Sequence, residues 1–377
     1  MAVCLDSMAA PHSCCLPGYA LRLVRLIIAL SVLPSLLTGC ASLQQGEPPA
    51  VIQQGAHSGG SSIAISQFGD LAASGGWEGT LRLWRLPVGS EVRHWRAHSD
   101  SINGIVFLDD DRQIVSAGYD GVLARHAING PLLQEITAPV PVTHMVADTA
   151  TDQLLTGHSD GSVRLWRLSD FSLLRDYSVH RGPVKAVAIA PGGVRYASSS
   201  TDGGVATWTA GDEIQMLERP PADAWTLAFS PEGDELTGGS WFRLYRWRLD
   251  DGSLTTIPTE HLGIIKALEY IDDGRELATI SRQTDSAVYF LDARSGEVKR
   301  RFQRHELCGG DIVVSADGRY LATTSEDARV WFWVLEGDAG ERHLVALCNH
   351  YLFCRRGSQP RLRVFPVADA IRSYMCW

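Results

Sequence analysis

The sequence predicts an all-β fold made of seven copies of one unit, each containing four short strands. The first observation is a repeat: the residues that close the copies stand at positions 84, 126, 166, 208, 247, 291 and 333, at intervals of 39–44 residues. The second is the alternation of apolar and polar residues before these positions, which is typical of half-buried strands. The third is the abundance of turn residues, 36 Gly and 17 Pro, between the alternating segments.

The first 39 residues read as a secretion signal rather than as part of the repeat. Arg22 and Arg25 precede an apolar run over residues 26–37, and small residues follow it. The run is too short to span a bilayer, which takes about 20 apolar residues. An uncleaved anchor remains the alternative. Residues 1–20 are long for the start of such a signal, and initiation near Leu21 or Val24 would explain them.

The residues Leu37-Thr38-Gly39-Cys40 resemble the lipobox of bacterial lipoproteins. The resemblance implies cleavage before Cys40, a lipid on its thiol, and residues 40–55 as a lipidated linker. A buried structural cysteine is the alternative interpretation. Ala41 and Ser42, with no Asp beside the cysteine, resemble the signal for sorting to the outer membrane of a Gram-negative host. We therefore expect a lipid-anchored protein of the cell envelope, facing the periplasm.

The repeat places four residue types at fixed distances within a copy. The closing positions are Trp84, His126, Trp166, Trp208, Trp247, Leu291 and Trp333. Six residues before most of them stand the acidic residues Glu78, Asp120, Asp160, Asp202, Asp285 and Asp327. Ten residues before them stand Ser74, Ser116, Thr156, Ser198, Thr237, Ser281 and Thr323. Between 27 and 30 residues before five of them stand His57, His98, His180, His261 and His305.

Three aspartates of this series are followed directly by glycine: Asp120-Gly121, Asp160-Gly161 and Asp202-Gly203. Asp-Gly between alternating segments predicts a hairpin turn in which the glycine takes a positive φ.

This spacing resembles that of the WD-repeat β-propeller family, over about residues 56–335 and in seven copies. The resemblance implies a seven-bladed β-propeller of four-stranded antiparallel blades, which we place at residues 56–347. In the family, a buried His, Ser or Thr, Asp and Trp form a hydrogen-bonded network within a blade. The full sets are His180, Ser198, Asp202, Trp208 and His305, Thr323, Asp327, Trp333, and a third set, His57, Ser74, Glu78 and Trp84, has Glu for Asp.

Four copies depart from the family pattern. Copy two has His126 in place of Trp, copy three has Ala138 in place of His, and copy six has Leu291 in place of Trp. Copy five lacks both the His and the Asp and carries Trp241 at the turn. We expect these blades to depend more on apolar packing, and blade five to have the least regular turn.

Two segments compete to complete the last blade. Residues 50–53, Ala-Val-Ile-Gln, could supply its outer strand, and so could residues 342–347. Either the N-terminal segment is a linker, or the C-terminal tail, residues 348–377, begins a partial extra blade. Only 15 residues separate His350 from Phe365, too few for three strands, so we expect seven blades. After cleavage, the cysteines able to form disulfides would be Cys308, Cys348, Cys354 and Cys376.

The sequence gives no sign of catalysis, and we assign no catalytic residue, cofactor or metal. The chain has no G-x-S-x-G, no phosphate-binding G-x-x-x-x-G-K-[ST] and no H-E-x-x-H motif. Cys348, His350 and Cys354 could bind zinc, but a disulfide or free thiols are the better interpretation of one such cluster. With 34 basic against 43 acidic residues, the chain lacks the cationic excess that non-specific binding to nucleic acid needs.

The remaining candidate for function is the surface formed by the loops. In the WD-repeat family, partners often dock at the residue before the turn Asp and at the start of the innermost strand. The positions so implied here include Trp77, Tyr119, Asn103, Lys185, Trp225, Lys266 and Glu326, and Trp241, at the turn of copy five, is a further aromatic candidate. Exposed Trp and Tyr carry much of the binding energy of interfaces. We therefore expect a membrane-anchored, non-catalytic scaffold that binds other proteins of the envelope. A ligand or glycan sensor and a redox or metal-binding propeller enzyme remain the alternatives.

Overall fold

The computed structural model describes residues 50–335, apart from 109–110, 212 and 283–285. Within them, 28 strands form seven four-stranded antiparallel sheets. We number the strands β1 to β28 along the chain and call each sheet a blade. Strands that follow one another along the chain form blades one to six, and blade seven joins the two ends of the described chain. The expected seven-bladed β-propeller is confirmed.

In each blade the strands run from the innermost to the outermost position. Blade one comprises β2 (Gly60–Ile65), β3 (Leu71–Gly76), β4 (Thr80–Arg85) and β5 (Ser90–Arg96). Blade two comprises β6 (Ile102–Leu108), β7 (Gln113–Gly118), β8 (Val122–Ala127) and β9 (Leu132–Thr137). Blade three comprises β10 (Val142–Asp148), β11 (Gln153–His158), β12 (Ser162–Arg167) and β13 (Leu173–Ser178). Blade four comprises β14 (Val184–Ile189), β15 (Arg195–Ser200), β16 (Val205–Thr209) and β17 (Gln215–Met216). Blade five comprises β18 (Thr226–Phe229), β19 (Glu235–Gly239), β20 (Arg243–Arg248) and β21 (Leu254–Pro258). Blade six comprises β22 (Ile264–Ile271), β23 (Glu276–Arg282), β24 (Val288–Asp292) and β25 (Val298–Phe302). Blade seven comprises β26 (Gly309–Val314), β27 (Tyr320–Ser325), β28 (Val330–Val334) and β1 (Ala50–Gln53).

The core lies between the faces of neighbouring blades. The second strand of a blade is buried on both faces, as in β7, where all residues after Gln113 are buried. The outermost strand is the most exposed of the four, as in β5, which has no buried residue. Trp84 of blade one packs on Phe332 of blade seven, with ring centroids 5.9 Å apart. Each blade therefore needs a neighbour on both sides to bury its apolar residues.

The hairpin turns follow the sequence prediction. Gly121, Gly161 and Gly203 take φ values of 80°, 86° and 80°. Gly79 takes the same place in blade one, with a φ of 76°. A Cβ atom on Gly79 would collide with the backbone carbonyl of His98, because the loop to the next blade passes directly over the turn. Glycine is therefore required there by its φ and by this close approach.

Blade seven is completed by the N-terminal strand. β1 pairs antiparallel with β28, and Val51 stands opposite Phe332. Residues 50–53, which we assigned to the linker 40–55, are therefore part of the ring, because they hydrogen-bond the otherwise free edge of β28. The competing segment 342–347 and the tail 348–377 lie outside the described residues, as do the proposed signal 1–39 and Cys40.

Candidate functional site

The hydrogen-bonded network is complete in blade one, the set with Glu in place of Asp. The imidazole of His57 bonds Glu78 through Nδ1, at 2.8 Å, and Ser74 Oγ through Nε2, at 2.7 Å. The indole N–H of Trp84 donates to the same Ser74 Oγ at 2.8 Å. Burial opposes ionisation of Glu78, but hydrogen bonds from His57 and Ser58 lower its pKa to about 2. One hydroxyl group on β3 thus connects β4 and the loop that precedes β2.

The two sets that match the family pattern in full are joined less completely. In blade four, His180 Nε2 lies 2.7 Å from Ser198 Oγ, and its Nδ1 lies 3.5 Å from Asp202. The indole N–H of Trp208 has no partner with hydrogen-bond geometry among the described residues, and its ring packs against Tyr177.

Blade seven repeats this incomplete arrangement. His305 lies 2.8 Å from Thr323 Oγ1 and 3.1 Å from Asp327. The indole N–H of Trp333 likewise has no such partner in the described part of the chain, and its ring stacks on Trp331. In both sets the Trp acts through packing instead of the hydrogen bond that the resemblance implied.

Blade three contains a histidine that the sequence analysis missed. Ala138 stands where the family has His, but His158 Nε2 lies 2.8 Å from Thr156 Oγ1 and supplies the missing bond. Trp166 donates to the same Thr156 oxygen at 2.8 Å. The signal was present: His158 is two residues after Thr156 on β11, in the one copy with alanine at the His position.

In blades two and six the network is kept in part. His98 bonds Ser116 at 2.8 Å and Asp120 at 3.1 Å, and His126, at the Trp position, packs on Trp95. In blade six, His261 bonds Thr279 at 2.8 Å, not Ser281 as the spacing suggested. The β23–β24 hairpin is longer than the others, which moves the bonding position two residues towards the N terminus.

Blade five replaces the network with other contacts. Thr237 shares a hydrogen bond of 2.6 Å with Tyr270 of the next blade, and Trp247 donates to the backbone carbonyl of Glu218 at 2.8 Å. Its turn is short, with Phe242 at a φ of 61° and Trp241 forming a single bridge to Ile264.

These Ser, His and acidic groups form structural networks in the blades. The serine side chains of Ser74, Ser116 and Ser198 are fully buried at 0% exposure, so no substrate can reach their oxygens. Their arrangement therefore provides no nucleophile of the Ser-His-Asp type.

The candidate binding residues lie at one end of the ring, which we call the upper face. It consists of the turns between the second and third strands and of the loops between blades. Backbone hydrogen bonds join these turns to the loops: the N–H of Trp77 donates to the carbonyl of Gly59, and the N–H of Tyr119 donates to the carbonyl of Ser101. Trp77, Tyr119 and Trp241 are 46%, 43% and 36% exposed.

Other exposed apolar residues extend this surface. The upper face also carries the exposed Phe242, Leu262 and Leu307. The opposite end, which we call the lower face, carries the exposed Phe68 and Val194 in its loops. Among the described residues, exposed aromatic side chains are therefore concentrated on the upper face.

The structure does not bring all the predicted residues together. Trp77, Asn103, Lys266 and Glu326 line one cavity of about 510 Å³ between the innermost strands. Trp225 is half-buried, and the ammonium of Lys185 lies 3.7 Å above the centre of its ring. Trp225 therefore offers less free surface than we expected.

Several of the predicted polar residues are already engaged within the protein. The Lys185 ammonium pairs with Asp223 at 2.7 Å. Glu326 pairs with Arg282 at 2.5 Å. The amide of Asn103 donates to the backbone carbonyl of Val142 at 2.8 Å and so connects blades two and three. Only Lys266 among the predicted charged residues has no ion pair in the described part of the chain.

The cavity wall holds three titratable groups whose pKa values are shifted mainly by burial. Burial, and to a smaller extent the positive charge of Lys266, lower the pKa of His144 to about 4. Burial also lowers the pKa of Lys266. Burial raises the pKa of Asp311 to about 6, although backbone N–H groups of Ile63 and Ile312 bind its carboxylate.

No group of three potential metal ligands occurs within the described residues, and no helix there has the length and apolar character needed to cross a membrane. Cys308 forms no disulfide with another of the described residues. Cys348, His350, Cys354 and Cys376 lie outside the described residues, so the zinc and disulfide interpretations stay predictions.

A family model matches the chain in four places. The model, described as WD domain, G-beta repeat, matches residues 49–85, 89–124, 130–167 and 296–334.

The chain is also similar to curated proteins, two of which are named WD repeat-containing proteins. The chain is 30% identical over 196 residues to WD repeat-containing protein VIP3 of Arabidopsis thaliana, covering 48% of this chain and 58% of the relative. It is 23% identical to cilia- and flagella-associated protein 52 of Mus musculus, covering 67% of this chain and 42% of the relative. It is 22% identical to WD repeat-containing protein 55 of Arabidopsis thaliana, covering 71% of this chain and 78% of the relative. The chain thus spans little more than half of the first relative and less than half of the second.

Proposed function

Because the chain carries repeats of the WD family, we propose that it is a membrane-anchored, non-catalytic scaffold that binds other proteins of the bacterial cell envelope. WD-repeat proteins generally bind other proteins. The further parts of the proposal, the envelope location and the lipid on Cys40, rest on the order of charged, apolar and small residues before that cysteine.

One observation supports the binding function above the others: the exposed aromatic residues of the upper face. Trp77 and Tyr119 form one group on blades one and two, and Trp241 and Phe242 form a second on blade five. The ring holds both groups in place, since every blade packs on two neighbours. Rigid aromatic side chains bury much area at little cost in entropy when a partner docks.

The test is capture of partners from detergent-solubilised membranes by the tagged protein, followed by mass spectrometry. We expect the double variant Trp77→Ala, Trp241→Ala to lose the specific partner, because both aromatic groups lose their most exposed Trp. Phe68→Ala is the matched control, since Phe68 is an exposed aromatic residue on the lower face. Equal capture by the double variant and the unaltered protein would refute the placement of the binding face.

The lipid anchor is tested separately by metabolic labelling with radioactive palmitate in a Gram-negative host. The unaltered protein is expected to take up label and to sediment with outer membranes. Cys40→Ser is expected to lose the label and to leave the membrane fraction. Label that persists in this variant would show that Cys40 is not the modified residue.

A further inference from the structure

Lysine is rare in this chain, and one of its lysines lines the central cavity. Of the 34 basic residues only three are lysines, at positions 185, 266 and 299. Lys185 and Lys266 lie on innermost strands, β14 and β22, whereas Lys299 lies on the outermost strand β25. The cavity of about 510 Å³ is lined by Lys266 and has the size of a small-molecule site.

Lys266 has no ion pair among the described residues. Lys185 has Asp223 at 2.7 Å and Arg282 has Glu326 at 2.5 Å, but no carboxylate of the described residues lies within ion-pair distance of the Lys266 ammonium. Its pKa is lowered by burial, and Arg282 and Lys185 lower it further, while Asp311 acts in the opposite direction. Lys266 is half-buried, and an ammonium group partly removed from water without an ion pair is costly, so an anion beside it would relieve that cost.

His144 offers a second donor to the same space. Its Nδ1 accepts the backbone N–H of Val187 at 3.3 Å, so the neutral ring carries its proton on Nε2. The described residues provide no acceptor for this N–H, and His144 lines the cavity. The pKa of about 4, caused by burial and by Lys266, keeps the ring neutral at pH 7. The imidazole is therefore a fixed donor on the wall of the cavity that the ammonium of Lys266 also lines.

The remaining charges limit the charge of a ligand. Asp311 lines the cavity, and both its oxygens accept backbone N–H groups, of Ile63 at 3.1 Å and Ile312 at 2.9 Å. Its negative charge would repel a dianion more than a monoanion. Glu326 is neutralised by Arg282. An ammonium group without an ion pair, one neutral donor and the fixed negative charge of Asp311 therefore match a single carboxylate group better than a dianion.

We propose that the central cavity binds a carboxylate monoanion, held by the ammonium of Lys266 and the Nε2–H of His144. Trp77 lines the same cavity and gives an apolar surface for the remainder of the bound molecule. The carboxylate belongs either to a small organic acid or to an acidic side chain of a bound protein. The site does not depend on the scaffold function proposed above.

The test measures protection of Lys266 in the purified full-length protein. An N-hydroxysuccinimide acetate reagent acetylates the lysines, and mass spectrometry gives the rate at each. We expect sodium acetate, but not sodium chloride at equal ionic strength, to slow the acetylation of Lys266. At ten times the dissociation constant the slowing is about tenfold. Lys299 is the internal control, since it is exposed on the outer strand, and its rate should not change.

A second arm distinguishes the two sources of carboxylate. It uses the blocked peptide acetyl-Ala-Glu-Ala-amide and its Gln analogue. Protection by acetate supports a small organic acid, and protection by the Glu peptide alone supports a protein side chain. Absence of protection by either, or equal slowing at Lys299, overturns the proposal.

A variant provides an independent measurement. Acetate is expected to raise the melting temperature of the unaltered protein and of Lys299→Met, but not that of Lys266→Met, in which an uncharged side chain of similar length replaces the ammonium. An equal rise in Lys266→Met would contradict the role of Lys266. If Lys266→Met does not fold, the protection measurement on the unaltered protein still decides.

Discussion

Ser74 of blade one shows how much one buried hydroxyl group can hold together. It accepts the indole N–H of Trp84 and shares a hydrogen bond with His57, which in turn binds Glu78. Ser198 holds the same position in blade four but bonds only His180. Both serines are fully buried. The two blades therefore offer a direct comparison of one hydroxyl group with two partners and one with a single partner.

We predict that Ser74→Ala destabilises the protein more than Ser198→Ala. The first change leaves two buried polar groups without a partner and is expected to cost about 2–4 kcal/mol, and the second leaves one and costs about 1–2 kcal/mol. Urea denaturation followed by tryptophan fluorescence measures both free energies of unfolding. Equal losses would show that the indole hydrogen bond of Trp84 contributes nothing to stability.

Residue spacing predicted most of these partners but not all. The prediction for His261 was two residues off, because Thr279 and not Ser281 is its partner. Fixed spacing assumes hairpins of equal length, and the β23–β24 hairpin is longer. His158 was missed because its side chain comes from the strand and not from the preceding loop.

At the scale of strands, the ring is closed by pairing the two ends of the described chain. β1 contributes four residues to the edge of β28, from Ala50 opposite Trp333 to Gln53 opposite Val330. The first innermost strand adds a contact, because the backbone N–H of Ile63 donates to Asp311 of blade seven at 3.1 Å. Sequentially distant segments thus share one sheet and one blade junction.

We predict that replacing residues 50–53 by Gly-Ser-Gly-Ser lowers the melting temperature by about 5 °C or more, since the ladder to β28 and the packing of Val51 are lost. Replacement by Thr-Val-Val-Gln, which keeps the tendency to form a strand, is the matched control and should stay close to the unaltered protein. Circular dichroism at increasing temperature measures both. No difference between the two replacements would mean that β1 does not secure the ring.

At the scale of the whole molecule, polar side chains of innermost strands cross from one blade to the next. Glu269 accepts the backbone N–H of Val314 at 2.7 Å, and His144 accepts that of Val187 at 3.3 Å. Burial raises the pKa of Glu269 from 4.5 to about 8. The protonated carboxyl group is therefore the form that the folded ring favours.

We predict that the stability difference between Glu269→Gln and the unaltered protein depends on pH. Below pH 4.5 the carboxyl group of Glu269 is protonated in both the folded and the unfolded protein. As the pH rises from 4.5 to about 8, the group ionises first in the unfolded protein, so the folded protein loses stability. The loss is at most about 1.4 kcal/mol per pH unit. Glutamine keeps the acceptor for Val314 and cannot ionise, so the variant should gain on the unaltered protein between pH 5 and pH 8. Urea denaturation at pH 5, 6.5 and 8 measures the difference, and a constant difference would contradict the shifted pKa.

The sequence by itself determined the number of blades, the positions of their turns and most of the buried His, Ser and Thr residues. It could do so because each blade repeats one local pattern of strand length, turn and hydrogen bonding, and this pattern depends on residues that are close together in the sequence. The positive φ values of Gly121, Gly161 and Gly203 follow from Asp-Gly turns alone. Only the tertiary structure decided that residues 50–53 close the ring, that Lys185 covers Trp225, and that Lys266 faces the cavity without an ion pair. Each of these depends on residues from different blades, whose distances in space are set by the closure of the ring and not by spacing along the chain.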